Sequence, residues 1–212
     1  MEGEDYMYEV VKREVLAEDS DLYEIRAPEI AKKAKAGQFV IVRINETGER
    51  IPLTLADFDS DKGTITLVAL RVGKTTHLLS TLKAGDKLLD VVGPLGNSSE
   101  VKNFGRVICI GGGLGIATIV PIAKALRDAG NYMIGIIGAR TKNLLIYEDE
   151  LRKICNELHM STDDGSYGHH GFVTDVLKML LENGNPIDAI WAIGPAIMMK
   201  LLNLIRLKQL LV

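Results

Sequence analysis

Residues 106–117 read Arg106-Val107-Ile108-Cys109-Ile110-Gly111-Gly112-Gly113-Leu114-Gly115-Ile116-Ala117. Val107 to Ile110 is a continuous apolar run, which suits a strand covered on both faces. A glycine cluster follows at once. From Ile116 to Ala129 apolar residues recur at helical spacing, and Gly130 stops them. Strand, glycine turn and helix in immediate succession define the first βα unit of a parallel sheet. Glycine in such a turn allows a tight reversal and lets backbone N–H groups approach a phosphate. The helix N-terminus adds the positive end of its dipole. The pattern departs from strict G-x-G-x-x-G because Ile116 holds the sixth position, and a glycine turn without a ligand is the alternative.

Working outward toward the C-terminus, Tyr132–Ile137 is a second apolar strand and Tyr147–Leu158 a charged helix. Leu158–Thr162 is a third strand, Thr174–Glu182 a helix and Ala189–Ile193 a fourth strand. Alternating strands and helices predict a parallel sheet covered on both faces. The second strand ends in Gly138-Ala139-Arg140-Thr141-Lys142. A site for NAD usually places an acidic residue here, on the ribose hydroxyls, whereas an arginine suits a 2′-phosphate. Arg140 with Thr141 and Lys142 therefore points to NADP. A solvated basic loop is the other reading.

Working back toward the N-terminus, the period changes to two. Tyr8–Val11, Leu22–Arg26, Phe39–Ile44, Thr64–Leu70 and Lys87–Val92 are short β-type runs punctuated by Gly, Asn and Asp. This spacing predicts a closed antiparallel barrel or a sandwich, with a helical insertion near Thr75–Leu82. The boundary falls between Ser98 and Gly105, giving an antiparallel β-barrel over 1–100 and an α/β domain over 101–212. Arg50-Ile51-Pro52-Leu53-Thr54 opens a strand. About twenty residues on, Val72-Gly73-Lys74-Thr75-Thr76 puts a glycine and two hydroxyls before a helix, a second phosphate cradle. Two cradles on different folds suggest two nucleotides held face to face.

Composition excludes other classes. The 212 residues are 47% hydrophobic and 25% charged, so neither disorder nor a collagen-like chain is expected. Lys+Arg 25 against Asp+Glu 28 gives a net charge of −3, and no basic stripe marks a nucleic-acid binder. The longest apolar run, Ala189–Met199, is broken by Gly194 and Pro195 and falls short of the roughly 20 residues of a membrane span. The charged first residues do not read as a secretory signal. Two cysteines, Cys109 and Cys155, fit a reducing cytoplasm.

In combination these motifs resemble the ferredoxin–NADP reductase superfamily. The motifs are Glu49 to Thr54, Val72 to Thr76, Gly93-Pro94-Leu95-Gly96, Gly111 to Ala117, Thr162 to Gly168, and Gly194-Pro195. The likeness is greatest to the small flavin-bearing subunits of NADH-dependent ferredoxin:NADP oxidoreductases, also known as sulfide dehydrogenase small subunits, with dihydroorotate dehydrogenase electron-transfer subunits close by. The resemblance implies an FAD-binding barrel followed by an NAD(P)-binding domain. It places Arg50 on the FAD phosphates and the Thr54 hydroxyl near flavin N5, as the one catalytic candidate. Arg50 stands four residues before Thr54, where the superfamily spacing is three. Gly73, Thr75 and Thr76 match the second FAD-phosphate segment, and Pro52, Leu53, Ala69, Leu70 and Val72 are expected to bind the cofactor with them. Gly93, Pro94 and Leu95 match a loop near the flavin. Gly111, Gly112, Gly113, Leu114 and Gly115 form the pyridine-nucleotide turn, with Arg140, Thr141 and Lys142 on the 2′-phosphate and Asp164 and Gly165 near the nucleotide. Gly194, Pro195 and Met198 line the nicotinamide side.

The implied chemistry is hydride transfer between nicotinamide C4 and flavin N5, then electron transfer to a larger redox subunit or a ferredoxin. The cofactors supply the reactivity and the protein supplies placement, so no general acid or base is required. The family usually carries a [2Fe–2S] centre on four thiolates. Cys109 and Cys155 are too few and too far apart, so the cluster ligands are absent, and the Leu-rich run Lys200–Val212 is unlike a cluster loop. The chain then reads as a truncated member or as one that uses FAD alone. The run itself reads as a last helix packed on the sheet, with docking to a partner as the alternative. His169-His170 read as loop residues near the cofactor mouth, and no metal site is expected. The competing function is a non-catalytic assembly module of the same fold.

Overall fold

The computed structural model describes residues 8–184 and 186–209, the side chains from Arg206 onward excepted. The chain forms two compact units, 1–99 and 100–212.

In the first unit the strands are β1 (Tyr8–Ala17), β2 (Ser20–Arg26), β3 (Phe39–Arg43), β4 (Ile51–Asp59), β5 (Thr64–Leu70), β6 (Lys87–Leu88) and β7 (Asp90–Leu95). Two short helices, α1 (Pro28–Ala31) and α2 (Lys74–Leu79), interrupt them. The sheet order is β6-β1-β2-β5-β4-β3-β7, with every pairing antiparallel. Only Leu89 separates β6 from β7. The run Lys87–Leu95 therefore bonds to β1 at one end and to β3 at the other, and the sheet returns on itself as a nearly closed barrel. Side chains alternate as the pleat requires. Val40 and Val42 of β3 are fully buried, and Phe39, Ile41 and Arg43 are not. The core gathers Val10, Tyr23, Ile25, Leu55, Ile65, Leu67 and Leu88. β1 runs past the apolar Tyr8–Val11 because its pairing with β2 continues through Lys12, Arg13 and Glu14.

The second unit contains β8 (Arg106–Gly112), α3 (Gly115–Asp128), β9 (Tyr132–Ala139), α4 (Glu148–Ile154), β10 (Glu157–Thr162), β11 (His169–His170), α5 (Val173–Glu182), β12 (Ala189–Ile193) and α6 (Ala196–Gln209). The sheet order is β11-β10-β9-β8-β12, all parallel. Ile108, Ile110, Ile134 and Ile136 pack on one face against Val173, Val176 and Leu177 of α5 and Met198 and Leu202 of α6. α3 and α4 cover the other face; a Cβ on Gly135, in register with Cys109, would stand 2.9 Å from the Cys155 sulfur.

Three expectations are corrected. The charged helix ends at Ile154, not Leu158, because Asn156 already donates its N–H to the Met133 carbonyl at 2.8 Å and β10 begins at Glu157. The barrel helix runs from Lys74 to Leu79, one residue earlier at its start and three at its end. His169 and His170 are not loop residues: they pair with Ser161 and Thr162 as an edge strand. The Leu-rich run forms α6, anchored on the sheet by Met198 and Leu202; residues 210–212 lie outside the described residues.

Candidate functional site

On the barrel, the strand period sets the candidate residues on one outward face. Leu53 packs against the core and Leu55 is fully buried. Thr54, between them, faces out. It stands opposite Phe39, and Phe39 on its other side stands opposite Leu95. Thr54, Phe39 and Leu95 thus form a row across β4, β3 and β7. The Thr54 hydroxyl makes no hydrogen bond among the described residues. Pro52 lies one outward step along β4, opposite Ile41. The Gly93–Pro94 peptide, cis in this structure, precedes Leu95.

Arg50 precedes β4, and its Nη1 donates to Asp90 Oδ2 at 2.5 Å. Half the Arg50 side chain stays exposed. Next to it, Glu49 accepts a 2.9 Å hydrogen bond from the buried Thr75 hydroxyl. This bond joins the Arg50–Thr54 segment to the start of α2. There, Thr76 Oγ1 accepts the N–H groups of Val72 and Gly73, both at 3.1 Å. Val72 is 74% exposed, and a Cβ on Gly73 would meet nothing within 4 Å, so this turn is open to a ligand. Ala69 is buried and Leu70 half-buried on β5, paired with Asp21 and Ser20.

In the α/β unit, β9 and β10 lie to one side of β8 and β12 to the other. The strand order reverses between β8 and β12, and ligands of open α/β sheets bind outside the carboxyl ends at such a point. Both glycine segments meet there. A Cβ on Gly115 would lie 2.1 Å from the Ile193 carbonyl oxygen, so only glycine lets α3 start this close to the end of β12. Gly112 and Gly194 both abut Met198, and Gly112 also abuts Pro195. Gly113 has φ +55° and nothing within 4 Å of a Cβ. Its N–H is taken by the Gly138 carbonyl at 2.8 Å. The N–H groups of Leu114 and Gly115 have no partner among the described residues. They are the donors left for an anion at the start of α3.

The ends of β9 and β10 are tied together. The Lys142 N–H donates to Ser166 Oγ at 2.9 Å, and its ammonium lies 4.9 Å from the centre of the Tyr167 ring. Ser166 donates both hydroxyl and N–H to Asp164, which hold that carboxylate below its usual range. Gly165 sits at the turn with its N–H on the Thr162 carbonyl. Glu148 accepts from Tyr167 and Arg152; partial burial opposes its ionisation, but these two donors hold it below the usual carboxylate range. Arg140 and Thr141 lie at the carboxyl end of β9. Arg140 is exposed, and its guanidinium makes no ion pair among the described residues.

Sequence reasoning passed over Phe39, Asp90 and the supporting roles of Glu49, Ser166 and Tyr167. Phe39 was reachable only through register, since nothing local marks it. Glu49 had a signal: it directly precedes Arg50.

The donor sets fit two nucleotides. The Thr54 hydroxyl and an open turn stand on the barrel, and two N–H groups and a guanidinium without partners among the described residues stand at the carboxyl ends of β8 and β9. They do not fit an iron–sulfur centre, because Cys109 is fully buried on a strand and Cys155 follows a helix behind it. Burial pushes both thiols up, Cys155 to about 11.

The family model for the oxidoreductase FAD-binding domain matches residues 7–99. A Thermotoga maritima protein named dihydroorotate dehydrogenase B (NAD(+)), electron transfer subunit homolog, is 52% identical over 192 residues, covering 91% of this chain and 67% of that protein. A Geobacillus thermodenitrificans protein named dihydroorotate dehydrogenase B (NAD(+)), electron transfer subunit, is 33% identical over 200 residues, covering 92% of this chain and 76% of that protein. The solved structure of an NADH-dependent reduced ferredoxin-NADP oxidoreductase, described for flavin-based electron bifurcation, superposes with TM-score 0.88 at 49% identity over 96% of this chain and 73% of that one. The chain belongs to the ferredoxin reductase-like family of FAD-binding oxidoreductases. FAD and a pyridine nucleotide are the cofactors of that family, and its chemistry is redox chemistry.

Proposed function

We propose that this protein is a flavin-bearing electron-transfer subunit, taking or giving hydride at NADP(H) through FAD and exchanging electrons with a larger redox subunit or a ferredoxin. The names of the similar proteins support the subunit role. The barrel, 1–100, is assigned to FAD and 101–212 to the pyridine nucleotide. The observation that carries the reading is the Glu49–Thr75 bond, which sets the outward row of Thr54 beside the open Gly73–Thr76 turn in one unit.

FAD, when bound, supplies a ring that accepts hydride and releases electrons singly. The residues of the chain do the rest. Arg50, restrained by Asp90, presents positive charge to phosphate. The free Thr54 hydroxyl is placed to hydrogen-bond the flavin ring near N5, with Pro94 and Leu95 beside it. Leu114 and Gly115 N–H groups and the α3 dipole hold the nucleotide diphosphate, and Gly194, Pro195 and Met198 border the nicotinamide side. Arg140 and Lys142, with Thr141, supply charge and a hydroxyl for a 2′-phosphate, which favours NADP over NAD. Two free cysteines suit the cytoplasm, and no helix among the described residues is long and apolar enough to cross a membrane.

A second reading, an electron-transfer subunit for dihydroorotate oxidation, draws on the named relatives and predicts a preference for NADH. The test is an absorbance spectrum of the purified protein supplied with FAD, followed by anaerobic NADPH or NADH. Flavin absorbance that NADPH bleaches at lower concentration than NADH supports the first reading. The reverse order supports the second. A protein that stays colourless with FAD is the assembly module.

A further inference from the structure

Arg71 sits between the last residue of β5 and the Val72–Thr76 turn. Among the described residues it donates three hydrogen bonds, all to the β1–β2 hairpin. Its own N–H donates to the Asp19 carbonyl at 2.8 Å. Its Nη2 donates to the Glu18 carbonyl. Its Nη1 donates to Asp21 Oδ2 at 2.8 Å. The Asp21 side chain is wholly buried, and its other oxygen accepts Arg13 Nη2 at 2.9 Å. Asp21, Tyr23 and Ile25 alternate along β2 on the core face, so a carboxylate occupies a position where a barrel ordinarily places an apolar side chain. A buried carboxylate is retained at a cost unless its partners are fixed and complete. Here one acid holds two guanidiniums. Burial, with Asp21 next, pushes the nearby Tyr23 hydroxyl up to about 12, so no proton is available from it at neutral pH.

The two arginines are not equivalent. Arg13 lies mid-strand on β1, where its backbone is already held by pairing with Tyr23. Arg71 lies one residue past the end of β5, where a single backbone bond, its N–H to the Asp19 carbonyl, still ties the chain to the hairpin and the following residue, Val72, is 74% exposed. We infer that Arg71, fixed by Asp21 and the Glu18 carbonyl, is a positioning residue that sets the direction in which the Val72–Thr76 turn leaves the barrel, and so presets that turn for the FAD phosphates. The inference rests on the reading of this turn as an FAD-phosphate segment. The physical gain is preorganisation: a turn held in its bound shape loses less entropy on binding.

The test compares Arg71→Met with Arg13→Met in the full chain. Each removes one guanidinium from Asp21, so both lower the thermal midpoint. Hydrogen exchange on the FAD-free protein is expected to show faster exchange over 72–79 in the Arg71 variant alone. FAD titration is expected to give a dissociation constant at least tenfold weaker for Arg71→Met and within about threefold of wild type for Arg13→Met. Equal effects of the two substitutions on both readouts overturn the inference and reduce the network to structural support. If Arg71→Met does not fold, Arg71→Lys, which keeps one arm on Asp21 and gives up the second, carries the same comparison with the same expected ranking. Failure of the wild type to bind FAD overturns the functional reading instead, and the exchange experiment still reports on Arg71.

Discussion

Gly115 stands so close to Ile193 that a single added methyl would lie 2.1 Å from the Ile193 carbonyl oxygen. The first turn of α3 and the last residue of β12 therefore share one narrow space, and the only side chain that fits is hydrogen. Gly113, two residues earlier, has the opposite problem, with open space but φ +55°. Gly115→Ala is expected to destabilise the α/β unit by about 3 kcal/mol through overpacking against backbone. Gly113→Ala is expected to cost only about 1 kcal/mol, the strain of the left-handed region, while weakening pyridine-nucleotide binding. Denaturant melts of the two variants, read beside nucleotide titrations, check this pair. Equal stability losses would contradict it.

Arg140 carries the choice of nucleotide. Its exposed guanidinium has no acid to neutralise it among the described residues, so its charge is available to a 2′-phosphate. Arg140→Ala is expected to weaken NADPH by about 1.5–3 kcal/mol, the usual worth of a hydrogen bond to a charged group, and to leave NADH nearly unchanged. Titration of both nucleotides against wild type and variant decides it, and parallel losses remove the assignment.

Thr54 is expected to act on rate and not on retention. Its hydroxyl makes no hydrogen bond among the described residues, whereas the phosphate contacts assigned to Arg50 and Gly73 are made by other groups of the barrel. Thr54→Ala is expected to leave FAD bound and slow flavin reduction in stopped flow. An unchanged rate would strip Thr54 of its role.

The raised thiols of Cys109 and Cys155 both contribute to the alkaline limb of stability with the same sign, and Cys155 offers the testable window. Burial raises it from about 9 in the open chain to about 11 in the fold. The folded state thus holds the proton more tightly. Its contribution is whole below the unfolded value and is lost as pH rises through the folded value. Stability is expected to fall between pH 9 and 11, less steeply in Cys155→Ala, and iodoacetamide is expected to label the native protein slowly at pH 8. Identical pH slopes for wild type and variant would show that the thiol is not coupled to folding.

The sequence carried the architecture because periodicity is a local property. Thr64–Leu70 and Ala189–Ile193 matched their strands to the residue, since each is bounded by residues that stop a strand. What it did not carry was pairing. Nothing in Leu22 to Arg26 announced that Asp21 is buried, because that burial depends on Arg13 of β1 and on Arg71, one residue past the end of β5. Phe39 joined the site only once Thr54 and Leu95 were registered on either side of it. The helix predicted to run to Leu158 was cut at Ile154 because Glu157 is drawn into the sheet beside Ile134, and helical propensity is the weaker force there.

The closing stave of the barrel has a kinetic consequence. Tyr8 is registered with Leu88, about eighty residues further along the chain, so the seam is a pairing of high sequence separation whose loop-closure cost must be met before it is rewarded. On the ribosome, β1 has only β2 to lean on until Lys87–Leu95 has been made. That single stretch then supplies both missing neighbours, to β1 at Tyr8 and Glu9 and to β3 from Phe39 to Arg43, so the two seams of the barrel close together or not at all.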